Sequence, residues 1–167
     1  MVMKWHFFLR SLEVNLIAVQ RDDFDIGKLY QQLTHDELNP NGYGAIVTFV
    51  GRVRDFNQQQ SVAAMALEHY PGMTEKSLSQ IVTQAKARWP IGDPIIIHRV
   101  GELLPGEQIV YIGVASAHRK AAFEACEFLI DYLKIKAPFW KKEQTDNGFQ
   151  WVDARETDQI AAKQWQD

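Results

Sequence analysis

The sequence predicts an α+β fold: a single compact domain with a mixed or antiparallel sheet, three main helices and a C-terminal hairpin region. Three observations lead there. At 167 residues with 46% hydrophobic side chains, the chain has apolar mass for one core and no need of a second. Runs of strand length, rich in β-branched and aromatic residues, are interspersed with longer stretches whose apolar residues recur at helical spacing. Pro and Gly punctuate the joints, with no internal repeat and no low-complexity tract.

Residues 1–11 read as a lead-in, whose apolar start is interrupted by Arg10 and then Glu13 too early for an export signal. From Leu12 the run Leu-Glu-Val-Asn-Leu-Ile-Ala-Val is the first strand, and Asp25 caps a short helix reaching about His35. Residues 35–44 then form a turn or loop. Gly44 to Val53 is almost continuously β-branched or aromatic, as a buried strand is. Arg52 and Arg54 stand at its end, and only one of them is expected to point readily into a given cleft. A polar loop over 55–61 precedes a strand from about Val62 to His69, which Pro71 and Gly72 break.

Leu78, Ile81, Val82 and Ala85 mark a helix over 73–89, stopped by Pro90. Strands over 94–100 and 108–115 flank a turn at 101–106. Ser116 caps the longest helix, which runs to about Lys136 and is closed by Pro138. At 100° per residue, Ala121, Ala122, Ala125, Leu129, Tyr132 and Leu133 share its apolar face, and Lys134 leans away from it. Residues 139–142 pair with 149–152 across the Thr-Asp-Asn-Gly turn at 145–148, and a polar terminal helix comes after Asp158. The count is about six or seven strands and three main helices.

Composition narrows the chemistry. The net charge of -3 disfavours a protein whose whole surface grips nucleic acid, although a focused basic pocket is compatible with it. The lone Cys126 excludes an internal disulfide framework and suits a reducing, cytoplasmic setting; on the edge of an apolar helix face, it reads as a buried structural thiol. No apolar run is long enough to span a membrane. There is no Gly-x-Gly-x-x-Gly, no phosphate loop, no Gly-x-Ser-x-Gly, and no Cys/His spacing that suggests a metal site.

What stands out is the placement of cations at element ends. Arg52 and Arg54 end a strand, His98 and Arg99 sit in an apolar one, and His118 and Arg119 open the long helix beside free amide donors. Lys134 and Lys136 occupy the last turn of that helix, Lys141 and Lys142 come after the Pro138 break, and Arg155 closes the Trp151-Val-Asp-Ala-Arg tail. Each also has a structural reading: the helix dipole accounts for Lys134 and Lys136, and solvation for Arg54 and Arg155. Glu124, Glu127 and Asp131 read as one solvated acidic helix face.

Six blocks in order and spacing go further. Gly51-Arg-Val-Arg-Asp-Phe-Asn57, Leu67-Glu-His-Tyr-Pro-Gly-Met73, Ile97-His-Arg-Val-Gly-Glu-Leu-Leu-Pro-Gly-Glu107, Ser116-Ala-His-Arg-Lys-Ala-Ala-Phe123, Asp131-Tyr-Leu-Lys-Ile-Lys-Ala-Pro-Phe-Trp-Lys-Lys-Glu143 and Trp151-Val-Asp-Ala-Arg155 are spread in order along residues 14–155. Together they resemble the large catalytic subunit of molybdopterin synthase, the MoaE family. The resemblance spans roughly residues 14–155, leaving a lead-in 1–13 and a tail 156–167 outside it, and implies an α/β hammerhead-like fold. It also implies a sulfurtransferase that puts two sulfurs into cyclic pyranopterin monophosphate. The donor would be the C-terminal Gly-Gly thiocarboxylate of a small ubiquitin-like partner, and no cofactor or metal is called for.

Carried over by position, Lys134 and Lys141 match the catalytic lysines, and Arg54, His118, Arg119 and Arg155 match substrate-binding groups. The family likeness implies a central dimer of large subunits in a heterotetramer, with Arg54 or Arg155 able to complete the neighbour's pocket. No nucleic-acid or membrane partner is implied. Gln58-Gln59-Gln60, Ile130 and Ile135 depart from the family pattern without removing a proposed catalytic group. Two other readings stay open: a non-catalytic module that binds a ubiquitin-like tail, and an unrelated phosphate-ester or nucleotide enzyme.

Overall fold

The computed structural model describes residues 17–34, 42–54, 56–57, 60–61, 63–145, 148–152 and 156–166. The order is β1 (Ile17–Gln20), α1 (Ile26–Thr34), β2 (Ala45–Arg52), β3 (Phe56–Asn57), β4 (Gln60–Ser61), β5 (Ala64–His69), α2 (Met73–Arg88) and β6 (Ile95–Arg99), followed by β7 (Gly101–Leu103), β8 (Gln108–Ser116), α3 (Arg119–Lys136), β9 (Phe139–Thr145), β10 (Gly148–Val152) and α4 (Glu156–Lys163). The lead-in, residues 35–41, and residues 55, 58, 59 and 62 of the following connection lie outside the described residues.

The α+β class holds, and the strands divide into two four-stranded sheets and a two-stranded one, β3-β4, within the segment expected to be a loop. One has the order β1-β6-β8-β2, with β1 and β6 parallel and the other pairs antiparallel; the second, β10-β9-β5-β7, is antiparallel throughout. The division falls where a turn was expected. After Arg99 the chain leaves the first sheet, turns at Gly101 with φ +88, a conformation that favours glycine, and enters the second as β7.

The first sheet is covered on both faces. Ile96, Ile112 and Val114 pack with Leu78, Ile81 and Ala85 of α2 and with Ala125, Phe128 and Leu129 of α3. On the other face Ile95, Ile97 and Tyr111 meet Leu33 of α1. All five residues of β6 are buried, as a strand covered on both faces requires. A smaller cluster of Val53, Met65, Leu67, Val100 and Leu103 lies against the second sheet.

Two local corrections come from the backbone. Ser116 is not the helix cap: it is the last residue of β8, its hydroxyl donates to the Pro90 carbonyl at 2.9 Å, and His118 takes the N-cap position in extended conformation. The acidic face of α3 is also not simply solvated. Glu124 accepts the Trp89 indole N–H at 3.0 Å, and Asp131 accepts that of Trp165 at 2.9 Å. Trp89, Phe128 and Trp165 form an edge-to-face cluster that joins α2, α3 and the segment after α4.

Candidate functional site

A cavity of about 720 Å³ opens where the two sheets meet the last turns of α3, a volume suited to a small ligand. Its construction starts at Pro138. A residue before proline is driven out of helical conformation, and Ala137 accordingly ends α3 at φ −79, ψ 131. The chain doubles back into β9, so the last turn of α3 and the first residues of β9 flank one corner. Lys134 and Lys141 both line the cavity for that reason.

Strand alternation fills the rest of this wall. Phe139, Lys141 and Glu143 face the cavity, while Trp140 between them is exposed. The register sets Leu67 opposite Lys141 and Met65 opposite Glu143, and both apolar residues line the same space. Val152 of β10, also paired with Lys141, completes that side.

Arg52 and Arg54 both line the cavity, which corrects the expectation that only one of them would: residues two apart on an extended chain share a face. The ladder between β2 and β8 slips at Gly51/Arg52, and the strand ends at Arg52. Arg52 is fixed by two hydrogen bonds, from Nε at 2.8 Å and Nη2 at 2.6 Å, to the Gly106 carbonyl. That turn is itself held by Glu107, whose carboxylate accepts the Leu104 N–H at 2.6 Å and the Arg99 guanidinium at 3.2 Å. The same backbone hydrogen bond, ahead of the Arg99 contact, holds the Glu107 carboxyl below its usual range. Arg54 is exposed and makes no hydrogen bond or ion pair among the described residues.

Each cavity lysine meets a carboxylate. Lys134 Nζ lies 3.1 Å from Asp158 Oδ1 of α4, and Lys141 pairs with the buried Glu143. Both acids line the cavity, and neither stood out in the sequence as part of a site. The signal for Glu143 was its two-residue spacing from Lys141 on a strand, which puts both on one face. Asp158 carried no such local signal, because α4 reaches Lys134 only through tertiary packing.

His118 and Arg119 are not brought to this cavity within the chain. Both are exposed at the opposite end of α3; sixteen residues of helix at 1.5 Å each put His118 about 24 Å from Lys134 along the axis. Arg155 lies outside the described residues. Cys126 is buried in the core, and burial pushes its thiol up to about 12, which suits packing and not nucleophilic chemistry. His98, noted in the sequence only as part of an apolar strand, lines the cavity as well. Among the described residues no three His, Cys, Asp or Glu side chains gather as a metal-binding group, and no helix is long and apolar enough to cross a membrane.

Residues 19–136 match the family described as MoaE protein. Over 149 residues the chain is 54% identical to the molybdopterin synthase catalytic subunit of Escherichia coli (strain K12), covering 89% of this chain and 97% of that relative. Its fold is similar to that of the molybdopterin biosynthesis MoaE protein from Burkholderia ambifaria MC40-6, with a TM-score of 0.76 and 52% identity over 90% of this chain and 97% of the other. A more distant fold neighbour, with a TM-score of 0.64 and 23% identity over 84% of this chain and 91% of its own, comes from a protein-protein complex of subunits 1 and 2 of molybdopterin-converting factor from Helicobacter pylori 26695. A family match across most of the chain, joined to relatives of more than half identity along nearly its whole length, establishes that this chain belongs to the MoaE family.

Proposed function

We propose that the chain is the catalytic subunit of a molybdopterin synthase, which converts cyclic pyranopterin monophosphate to molybdopterin by inserting two sulfurs. The observation that carries this reading is a cavity in which Lys134, Lys141, Arg52 and Arg54 converge with apolar walls and, among the described residues, no cysteine or serine. Such a site suits an anionic substrate and a nucleophile delivered from outside, here the C-terminal thiocarboxylate of a small ubiquitin-like subunit. In each transfer the thiocarboxylate sulfur bonds to a side-chain carbon of the pterin as the oxygen on that carbon leaves, which gives a thioester with the donor tail; water then cleaves the acyl–sulfur bond, so the tail departs as a carboxylate and the sulfur stays on the pterin as a thiol.

Lys134 stabilises negative charge developing at the thiocarboxylate and pterin side chain or moves a proton there, and Lys141 assists from the facing strand. Their carboxylate partners, Asp158 and Glu143, hold the ammonium groups in place before an anion arrives. Arg54, unpaired among the described residues, supplies a forked donor for phosphate, a role that Arg155 shares.

His118 and Arg119 can serve a pocket of this kind only from a second copy. The first sheet gives a route. β2 is an edge strand, and its Ala45 end lies beside Ser116, next to His118, while its Arg52 end lies at the cavity. Seven steps of strand at about 3.4 Å span about 24 Å, the same length as α3 from His118 to Lys134. A two-fold axis through the middle of β2 therefore lays one copy's His118 and Arg119 against the other copy's cavity. The resulting assembly is a central dimer flanked by two small subunits, in the cytoplasm.

The test is single-turnover conversion of cyclic pyranopterin monophosphate by the chain and its thiocarboxylated partner, with Lys134→Ala beside it. Wild type is expected to form the dithiolene, and a folded, partner-binding K134A protein to lose roughly 100-fold or more in rate. No product from wild type despite a tight complex would leave only a tail-binding module.

A further inference from the structure

His98 lies in the fully buried strand β6, is 5% exposed, and nevertheless lines the cavity beside Lys141 and Glu143. Its ring is fixed from two directions. Phe139 stacks on it at 3.9 Å between centroids and 18° between planes. Nδ1 lies 2.8 Å from the Arg99 carbonyl oxygen, and because a carbonyl can only accept, Nδ1 carries the proton. In the neutral ring Nε2 is then a bare acceptor. It has no hydrogen-bond partner among the described residues, yet it is not one of the sealed, unsatisfied atoms, which are His69 Nδ1 and Tyr111 Oη. The lone pair is accessible at a residue whose neighbours form the cavity wall.

We propose that His98 is a further substrate-contacting residue of this site, with Nε2 accepting a hydrogen bond from an N–H donor on the edge of the pterin ring. The assignment rests on the sulfur-transfer reading above. The other polar side chains around it favour this partner. Lys134, Lys141, Arg52 and Arg54 are all donors without acceptor capacity, and they match phosphate and thiocarboxylate oxygens. The two carboxylates are already engaged by the lysines. A fused heterocycle also brings N–H donors, and His98 presents an acceptor with no prior partner to meet them. Phe139, stacked against it, fixes the plane of the imidazole and with it the direction of the Nε2 lone pair.

An acceptor fits better than a base. Burial, ahead of the repulsion from His69, lowers the His98 pKa to about 4, so near neutral pH about one ring in a thousand is protonated. An imidazole so weakly basic takes up protons poorly but still accepts hydrogen bonds.

Two variants test this. In His98→Phe the stack is kept and both nitrogens are lost; in His98→Gln an acceptor remains close to the position of Nε2. Each is assayed for KM toward the pterin, for single-turnover rate, and for affinity toward the partner subunit. H98F is expected to raise KM about 5- to 10-fold with the rate within about 2-fold and partner affinity unchanged, and H98Q to recover most of that loss. A 100-fold loss of rate in both variants with KM unmoved would make His98 a proton-transfer group instead. Weaker partner binding with KM unmoved would place the contact on the donor tail, and an H98F protein indistinguishable from wild type would leave His98 with packing alone. If H98F does not fold, His98→Leu takes its place as the variant without an acceptor, and a raised KM in it that H98Q restores decides in the same way. A wild-type protein that makes no product would overturn the sulfur-transfer reading and this assignment with it, whereas an active wild type isolates the failure to His98.

Discussion

The buried His98 imidazole links the site to the stability of the fold. Its pKa is about 4 in the folded chain against 6.5 when exposed, with desolvation the largest cause. A histidine with a depressed folded pKa binds a proton more readily when unfolded, so its contribution is complete above about pH 6.5 and is lost as pH falls toward 4. The difference corresponds to about 3 kcal/mol over that window. Asp23, lowered chiefly by the Gln108 hydrogen bond, and Glu107, lowered chiefly by the Leu104 N–H, act in the same direction but only below the ordinary carboxylate range. Urea unfolding at pH 7, 5.5 and 4.5 is expected to show stability falling with pH in wild type and a flatter profile in H98F. Equal slopes in the two proteins would assign the proton uptake elsewhere.

At the scale of elements, α4 is an eight-residue helix too short to persist alone, and contacts made at its C-terminal end hold it in position. Ala162 is buried, the Trp165 indole donates to Asp131, and Arg88 donates to the Trp165 carbonyl at 2.6 Å. This far end acts as the anchor, and the near end carries Thr157 and Asp158 to the cavity, where Asp158 meets Lys134. Trp165→Ala is expected to cost about 2 kcal/mol, below the range for a fully buried tryptophan because Trp165 is only half-buried. Its specific signature is loss of amide-exchange protection across 156–163 with α3 still protected, read by hydrogen exchange and mass spectrometry. Unchanged exchange in that segment would show that α4 docks without the indole.

For the whole molecule, the separation of His118 and Arg119 from Lys134 by the length of α3 makes a sharp prediction about assembly. If one copy's helix start completes the other copy's cavity, His118→Ala and Lys134→Ala damage different halves of the same composite site. Each homodimer is then impaired at both sites. A mixture allowed to exchange subunits contains heterodimers with one intact site, and activity is expected to return to about a quarter of wild type for random pairing in a two-fold dimer. Mixing without recovery, under conditions where exchange is verified by mass, would put His118 outside the reaction.

Local pattern was sufficient for most elements because their causes are local. Pro90 and Pro138 stop helices through a missing N–H and a steric clash, and the apolar stripe of α3 is set by helix periodicity; Ala122, Ala125, Leu129, Tyr132 and Leu133 are indeed buried. The lysine pair was legible too, since Lys134 and Lys141 flank a proline turn only a few residues long. Tertiary structure decided what local pattern cannot encode. The register that faces Met65 and Leu67 toward Glu143 and Lys141 joins segments far apart in the chain, and the end of β2 brings both arginines to the cavity those segments wall. Asp158 reaches Lys134 through packing of α4, while His118 and Arg119, adjacent in the sequence to nothing that excludes them, are held away by the rigid length of α3. The sequence by itself determined the family, the element types and the cationic chemistry, because each comes from side-chain identity and short spacing. Only the folded chain determined which cations share a space, because that depends on strand register and helix length acting across the whole domain.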